Sequence, residues 1–370
     1  MTTAQSSTAK PNPEIFGTLK DDLRRGDFGQ TVRRDFRELK EYMLEEERQK
    51  RLREMGRVKR WILLSWWLLK SMFFKLAPAR RLLFVLGMLM IVLSRTVIYS
   101  DKNIDLNIDL NGIGIVVILF VLMLELKDKL VAHDELKAGR AVQQALMPEK
   151  APHVPGWDLW LTTRSAKEVG GDLVDFIRLT DQRCAVAIGD VAGKGLSAAL
   201  LMAKLQATLR ALAADSTSLS SLGASLNRIF CRDSLKNMFA SLAYIELAPN
   251  SGSVRLVNAG HIPPVLIRRG VIEKLEKGGV ALGIMPDATF EEQRMELQPG
   301  DTLLVYSDGL IEARNVSGEF YGEQRLHNTL SRLTGQTAEQ LGERLIAEVD
   351  RFAGEEKAFD DLSIIVARRA

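Results

Sequence analysis

The stretch "AVAIGDVAGKG" (residues 185–195) decides how the chain is read. An apolar run leads into Asp190, and glycines follow. A carboxylate at the end of a buried strand loses its hydration, which is costly unless a partner offsets the loss. The simplest such partner is a metal ion. The same form recurs along the chain. "EVGGDLVD" (168–175) sets Asp172 behind two glycines, "LLVYSDGL" (303–310) ends an apolar run on Asp308, and "FDDLSIIV" (359–366) opens one with Asp360 and Asp361. Each of these acids alone reads as a turn residue. The set, always at the edge of an apolar run, reads as a metal site. An all-oxygen donor set with no nearby His or Cys group selects Mg²⁺ or Mn²⁺ over zinc. Carboxylates from distant strand ends can hold two such ions roughly 4 Å apart, orienting and deprotonating a water and clamping a phosphoryl oxygen.

The text around these acids is that of a globular α/β domain over residues 151–370. Short β-type runs ("WDLWLTT", "VDFIRL", "CAVAIGD", "FASLAYIEL", "SVRLVNAG", "PVLIR", "DTLLVYSDG", "LSIIVAR") are separated by Gly, Pro, Asn and Asp turn signals. Helical periodicity covers about 197–214, 219–235 and 337–353. Runs of strands with helices between them, not strict alternation, predict mostly antiparallel sheets with helices packed outside. "GDVAGKGLSAALL" is not a phosphate loop, because Lys194 is followed by Gly195 and Leu196 and the GxxxxGK[ST] pattern is absent.

Residues 140–369 resemble the metal-dependent Ser/Thr protein phosphatase (PPM) superfamily, in its bacterial branch of sporulation protein E and sigma-factor-regulator phosphatases. The matching text is "AVQQALMP", "EVGGDLVDF", "AIGDVAGKGLSAALLMA", "NAGHIPPVLIRRG", "LGIMP", "GDTLLVYSDGLIEARN" and "FDDLSIIVAR", in the same order. The resemblance implies an αββα sandwich with a binuclear Mn²⁺/Mg²⁺ site at one end. It implies Asp172 and Asp190 as ligands and, through the water that the ions activate, as the catalytic pair. Val191 would offer its backbone carbonyl and Asp308 would bind one ion. Asp360 aligns with the last ligand, and Asp361 is the second choice. Arg164 and Lys167 precede the first motif and are candidates for gripping phosphate, or simply a solvated face. Where better-known relatives often carry a His two residues after the bridging Asp, this chain has Ala192. His261, in "NAGHIPP", reads as a turn residue before it reads as a proton donor.

The N-terminal 125 residues carry no such resemblance. Residues 1–60 are polar and charged, with the mixed pattern of a solvated helix or of a basic arm near anionic lipid from about residue 19. Its opening "MTTAQSSTAKPNP" has no secretory character. Residues 61–126 hold a Trp-rich stretch suited to the membrane interface and two apolar runs, 82–94 and 112–124. Arg80 and Arg81 lie before the pair and Lys127 and Lys129 after it, while the loop "SDKNIDLNIDLN" holds three Asp and one Lys. That asymmetry predicts a hairpin with both ends in the cytoplasm, at the inner (cytoplasmic) membrane, with a third span possible. Residues 127–150 form a linker helix. It either pairs with a second copy to give a homodimer or packs on the next domain.

The bulk numbers agree with a folded, cytosol-facing protein: 370 residues, 46% hydrophobic, 26% charged, net charge +3 and two cysteines. The expected function is a membrane-anchored protein serine/threonine phosphatase acting on a phosphorylated signalling protein, such as an anti-sigma-factor antagonist. No nucleic-acid partner is expected. The alternative is a catalytically weak pseudo-phosphatase that serves as a membrane-bound binding module.

Overall fold

A computed structural model describes residues 56–93, 96–101, 104–233, 238–356 and 358–370. It comprises two compact units, Met1–Leu130 and Val131–Ala370. The charged segment expected to be helical from about residue 19 lies outside the described residues as far as residue 55.

In the first unit, α1 (Arg57–Lys75) covers the Trp-rich stretch and α2 (Pro78–Leu93) the first apolar run. Pro78 opens α2, where its missing N–H costs nothing. Where the sequence reading had a plain loop, β1 (Thr96–Asp101) and β2 (Ile104–Asp109) pair antiparallel, with Thr96 opposite Asp109. The signal was present, since "IDLNID" alternates apolar and polar residues with the period of a strand. Next comes α3 (Leu110–Leu146), an unbroken helix of 37 residues and about 55 Å. It joins the second apolar run to the linker, so the boundary drawn at 126/127 is not a break in secondary structure. α2 and α3 cross where a Cβ on Gly114 would stand 2.7 Å from the Gly87 carbonyl oxygen. Such backbone-to-backbone approach through small residues is the habit of helices packed in lipid. Many apolar side chains of these helices face outward, among them Leu82, Val92, Val116 and Met123.

Among the described residues, two helices are long and apolar enough to cross a membrane, Leu110–Leu146 and Leu196–Ala213. The second belongs to a protein core, as its packing below shows. α2, with 16 residues, reaches only about 24 Å and falls short of a ~30 Å hydrocarbon layer by itself.

The second unit contains two five-stranded sheets. One runs in the order β10 (Glu292–Glu296), β7 (Ser253–Ala259), β6 (Ala240–Leu247), β5 (Arg183–Val191), β4 (Leu173–Thr180). The other runs β3 (Trp157–Arg164), β12 (Leu362–Arg369), β11 (Thr302–Tyr306), β8 (Val265–Arg268), β9 (Val271–Lys274). Every pairing within them is antiparallel. Leu161, Val186, Ile188, Ile245, Leu303 and Ile365 fill the space between the sheets. The outer face of the first sheet is covered by α4 (Leu196–Ala213) and α5 (Leu219–Asp233), through Met202, Leu205, Leu222 and Phe230. The outer face of the second is covered by α7 (Gly322–Arg332) and α8 (Ala338–Ala353), through Leu326, Leu330, Leu341 and Leu345. A single-turn helix, α6 (Asp308–Ile311), follows β11. This is the expected αββα sandwich. Thr337 caps α8 through a reciprocal box with Gln340, which explains why the helical pattern starts there.

Candidate metal centre

Strand register brings the acids to one end of the sandwich. Leu173, next to Asp172, pairs with Gly189, next to Asp190. Tyr306, two residues before Asp308, pairs with Ile364, three residues after Asp361. The glycines answer for the crowding. A Cβ on Gly309 would stand 2.0 Å from the Asp361 carbonyl oxygen, so no larger residue fits after Asp308. One on Gly171 would stand 3.2 Å from the Val191 carbonyl oxygen and 3.6 Å from Asp190 Oδ1, which places those two oxygens beside the same loop.

Asp172 is buried, and the Ser363 hydroxyl donates to its Oδ2 at 2.5 Å. Burial, then the neighbouring Asp190 charge, pushes its pKa well above the usual carboxylate range. Asp190 is half-buried. Burial first, then the charges of Asp308, Asp360 and Asp361, push its pKa up to about 7. Asp308 is raised by burial and by Asp360, with Lys194 pulling the other way. These shifts report acids crowded together without enough positive charge.

The two acids of "FDDL" separate clearly. Both oxygens of Asp361 are taken by backbone N–H groups, Ala166 to Oδ1 at 2.8 Å and Gly171 to Oδ2 at 2.6 Å. Asp361 therefore ties down the loop that carries Asp172. Asp360 faces the other way and accepts from Lys194 Nζ at 2.7 Å and from the Asp361 N–H at 3.0 Å. Of the phosphate candidates, Arg164 is bidentate to Asp350, at 3.0 and 2.7 Å, and points to α8. Lys167 stands exposed in the loop. His261 is buried behind β5 and β6. Its Nδ1 lies 2.9 Å from Ser241 Oγ, which also accepts the Asp190 N–H at 3.2 Å. Burial lowers its pKa to about 4, so the ring is neutral, and it supports the strand instead of meeting solvent.

Several supporting residues were missed by the sequence reading. Ser363 and Thr163 share a 2.8 Å hydrogen bond behind Asp172. Ser307 accepts the Ser363 N–H at 2.9 Å and donates to the Asp361 carbonyl at 3.1 Å. Gln143 on α3 is buried and bonds Gly170 twice, its Nε2 to the carbonyl at 2.8 Å and its Oε1 from the N–H at 3.1 Å. The one available signal was a hydroxyl beside an acid inside an apolar run, as in "YSDG" and "DDLS".

Among the described residues, no three acid, His or Cys side chains converge tightly enough to hold an ion as they stand. The donor set nevertheless fits hard divalent cations. Its donors are all oxygens, its charges are uncompensated, and the Val191 carbonyl lies beside Asp190.

The family described as Stage II sporulation protein E (SpoIIE) matches residues 180–370, just over half of the chain. Protein IcfG of Synechocystis sp. is 27% identical over 319 residues, which cover 75% of this chain and 50% of IcfG. Phosphoserine phosphatase RsbU of Bacillus subtilis is 26% identical over 237 residues, covering 64% of this chain and 70% of RsbU. This chain thus spans about half the length of the first of these relatives. Among solved structures, the SiaA-PP2C domain of Pseudomonas aeruginosa matches with a TM-score of 0.57 at 18% identity, over 65% of this chain and 98% of that domain. The sandwich of the second unit is accordingly the PP2C phosphatase fold.

Proposed function

Because the chain belongs to the Stage II sporulation protein E (SpoIIE) family, we propose that it is a metal-dependent protein serine/threonine phosphatase. The observation that carries this reading is the set of acids brought to one end of the sandwich, where Lys194 offers partial charge relief. Asp172, Asp190, Asp308, Asp360 and the Val191 carbonyl are the proposed ligands. Two Mn²⁺ or Mg²⁺ ions held there would supply Lewis acidity and lower the pKa of a water. The chain's own residues do the rest. Ser363 fixes the Asp172 carboxylate, Ser307 holds the backbone of Ser363 and Asp361, Asp361 holds the loop of Asp172, and the Ser241–His261 pair holds the backbone of Asp190. Lys194, held by Asp360 and the Phe359 carbonyl, would have to leave them to meet an incoming phosphate. The substrate class is a phosphoserine or phosphothreonine protein, with an anti-sigma-factor antagonist as the first candidate.

The outward-facing apolar surface of α2 and α3 supports a membrane anchor that leaves the phosphatase unit in the cytoplasm. Leu130, Val131 and Val142 lie exposed on α3 and support pairing of two copies there. The experiment is hydrolysis of p-nitrophenyl phosphate by the full chain in detergent, with Mn²⁺ and with EDTA. Activity that needs the ion and disappears in Asp190→Ala and Asp308→Ala bears the reading out. The Lys194–Asp360 pair favours one alternative, a weak pseudo-phosphatase that binds its partner without turning it over. Absence of turnover with every divalent ion tried would favour it.

A further inference from the structure

The phosphatase reading leaves Arg314 unused. Arg314 follows α6 and opens a tight loop closed by Tyr321 N–H to the Ala313 carbonyl at 2.8 Å and Asn315 N–H to the Glu319 carbonyl at 3.1 Å. Its guanidinium carbon lies 4.8 Å from the ring centre of Phe320 and 4.3 Å from that of Phe359. Both rings are about half exposed, at 47% and 48%. Phe359 also lies 4.2 Å from Lys194 Nζ and directly precedes Asp360.

Most long-range arginines of this unit have a carboxylate. Arg164 holds Asp350, Arg210 holds Asp175, Arg255 holds Glu246 and Glu292, and Arg268 holds Asp301. Arg314 has none among the described residues, and its Nε is buried without a hydrogen-bond partner. Stacking on aromatic faces fixes a guanidinium plane while leaving its N–H edge available for bidentate recognition of an anion. The charge is thus held beside the acid end, with no carboxylate partner among the described residues.

What should that partner be? A phosphoryl group that reacts must lie against the carboxylate cluster. Arg314 rests on the ring of Phe359, the residue before Asp360, whereas Lys194 touches Asp360 itself. Arg314 is placed to meet the next group along a bound protein. We propose that Arg314, stacked on Phe320 and Phe359, receives an acidic side chain flanking the phosphorylated residue of the substrate, and so sets sequence preference. This rests on the phosphatase reading above.

The test uses the full chain in detergent with Mn²⁺ and compares wild type, Arg314→Ala and Arg314→Lys. The substrates are p-nitrophenyl phosphate, a phosphoserine peptide with Asp and Glu flanks, and the same peptide with Asn and Gln flanks. For Arg314→Ala, KM for the acidic peptide is expected to rise about tenfold, with kcat and the other two substrates within twofold. Arg314→Lys, which keeps the charge and loses the planar fork, should fall between. An equal loss on all three substrates, or no loss on any, would overturn the proposal. If wild type hydrolyses none of them, the phosphatase reading fails, and fluorescence anisotropy of the labelled acidic peptide decides instead. Binding weakened at least fivefold by Arg314→Ala sustains the contact. Equal affinity removes it.

Discussion

Strand β5 begins with Arg183 against Glu246, at 2.7 Å, and ends with Asp190 among four other acids. The two ends of this one sheet treat negative charge in opposite ways. At the far end, Glu246 and Glu292 meet Arg183, Arg255 and Arg294 at 2.7–3.0 Å, and the Leu219 N–H adds another donor to Glu292 at 3.0 Å. Arg255, then burial opposing it, leaves the Glu292 pKa lowered to about 2. At the near end the pKa of Asp190 is raised to about 7. Even neighbouring acids divide this way. Asp175 on β4 is fully buried yet bidentate to Arg210, while Asp172, three residues earlier, has only hydroxyls and other acids. Acids matched with arginine are structural. Acids gathered without a match make a demand that something outside the chain must meet.

The sharpest way to break this contrast is to neutralise one acid at each end. Asp190→Asn should lower Mn²⁺-dependent hydrolysis of p-nitrophenyl phosphate by at least ~10³-fold, since it removes a carboxylate proposed to hold the ions. Steady-state kinetics read it, and a loss below tenfold would take Asp190 out of the chemistry.

At the far end, Arg255→Ala removes the cation shared by Glu246 and Glu292, leaving buried Glu246 with Arg183 and Glu292 with Arg294 and the Leu219 N–H. Breaking a buried pair costs about 3–5 kcal/mol, and each kcal/mol moves Tm by about 2–4 °C in a domain of this size. A drop of roughly 10 °C by calorimetry is expected. Activity per folded molecule should stay within threefold. Equal damage to activity would erase the distinction between the ends.

A third experiment is pH. A carboxylate whose folded pKa lies above its unfolded value favours the fold while it is protonated. That contribution is complete below about pH 4 and is lost as pH rises through about 7 for Asp190. His261 acts in the opposite direction, because its folded pKa of about 4 lies below the unfolded value, so its share is lost as pH falls below about 6.5. In EDTA, Tm should therefore decline as pH rises from about 6.5 to 8, where the contribution of His261 is largely complete and that of Asp190 is being lost. Asp190→Asn should flatten that decline, and Mn²⁺ should reverse it in wild type. A Tm that rises over this range would contradict the crowding.

The smallest effect concerns support. Gln143→Leu leaves both backbone groups of Gly170 without a partner, worth about 1–3 kcal/mol, and should weaken Mn²⁺ binding by titration calorimetry several-fold.

Much of this was readable in the residues. Asp172, Asp190, Asp308 and Asp360 each stand where an apolar run meets a turn, antiparallel sheets with helices outside follow from strands in runs between amphipathic helices, and the family resemblance implied the αββα sandwich. The rest hid for physical reasons. β9 and β10 are edge strands with mostly exposed or charged faces, "VIEK" and "EQRME", so they lack the apolar signature of central strands. Asp360 and Asp361 look alike in sequence, and only the folded loop shows that one faces Lys194 and the other the backbone of Ala166 and Gly171. The Ser363–Asp172 bond spans 191 residues, a distance over which no local pattern speaks. Arg164 drew attention by its nearness in sequence, yet its strand delivers it to Asp350.

The double bond between Gln143 and Gly170 gives α3 a geometric duty. A helix turns about 100° per residue, so slipping its register by a single position would carry the Gln143 amide off the glycine and put Gln144 or Val142 in its stead. Gly170 is two residues from Asp172. The last turns of that long rod therefore work like a key in a lock, with one angular setting in which the loop under Asp172 keeps both of its bonds.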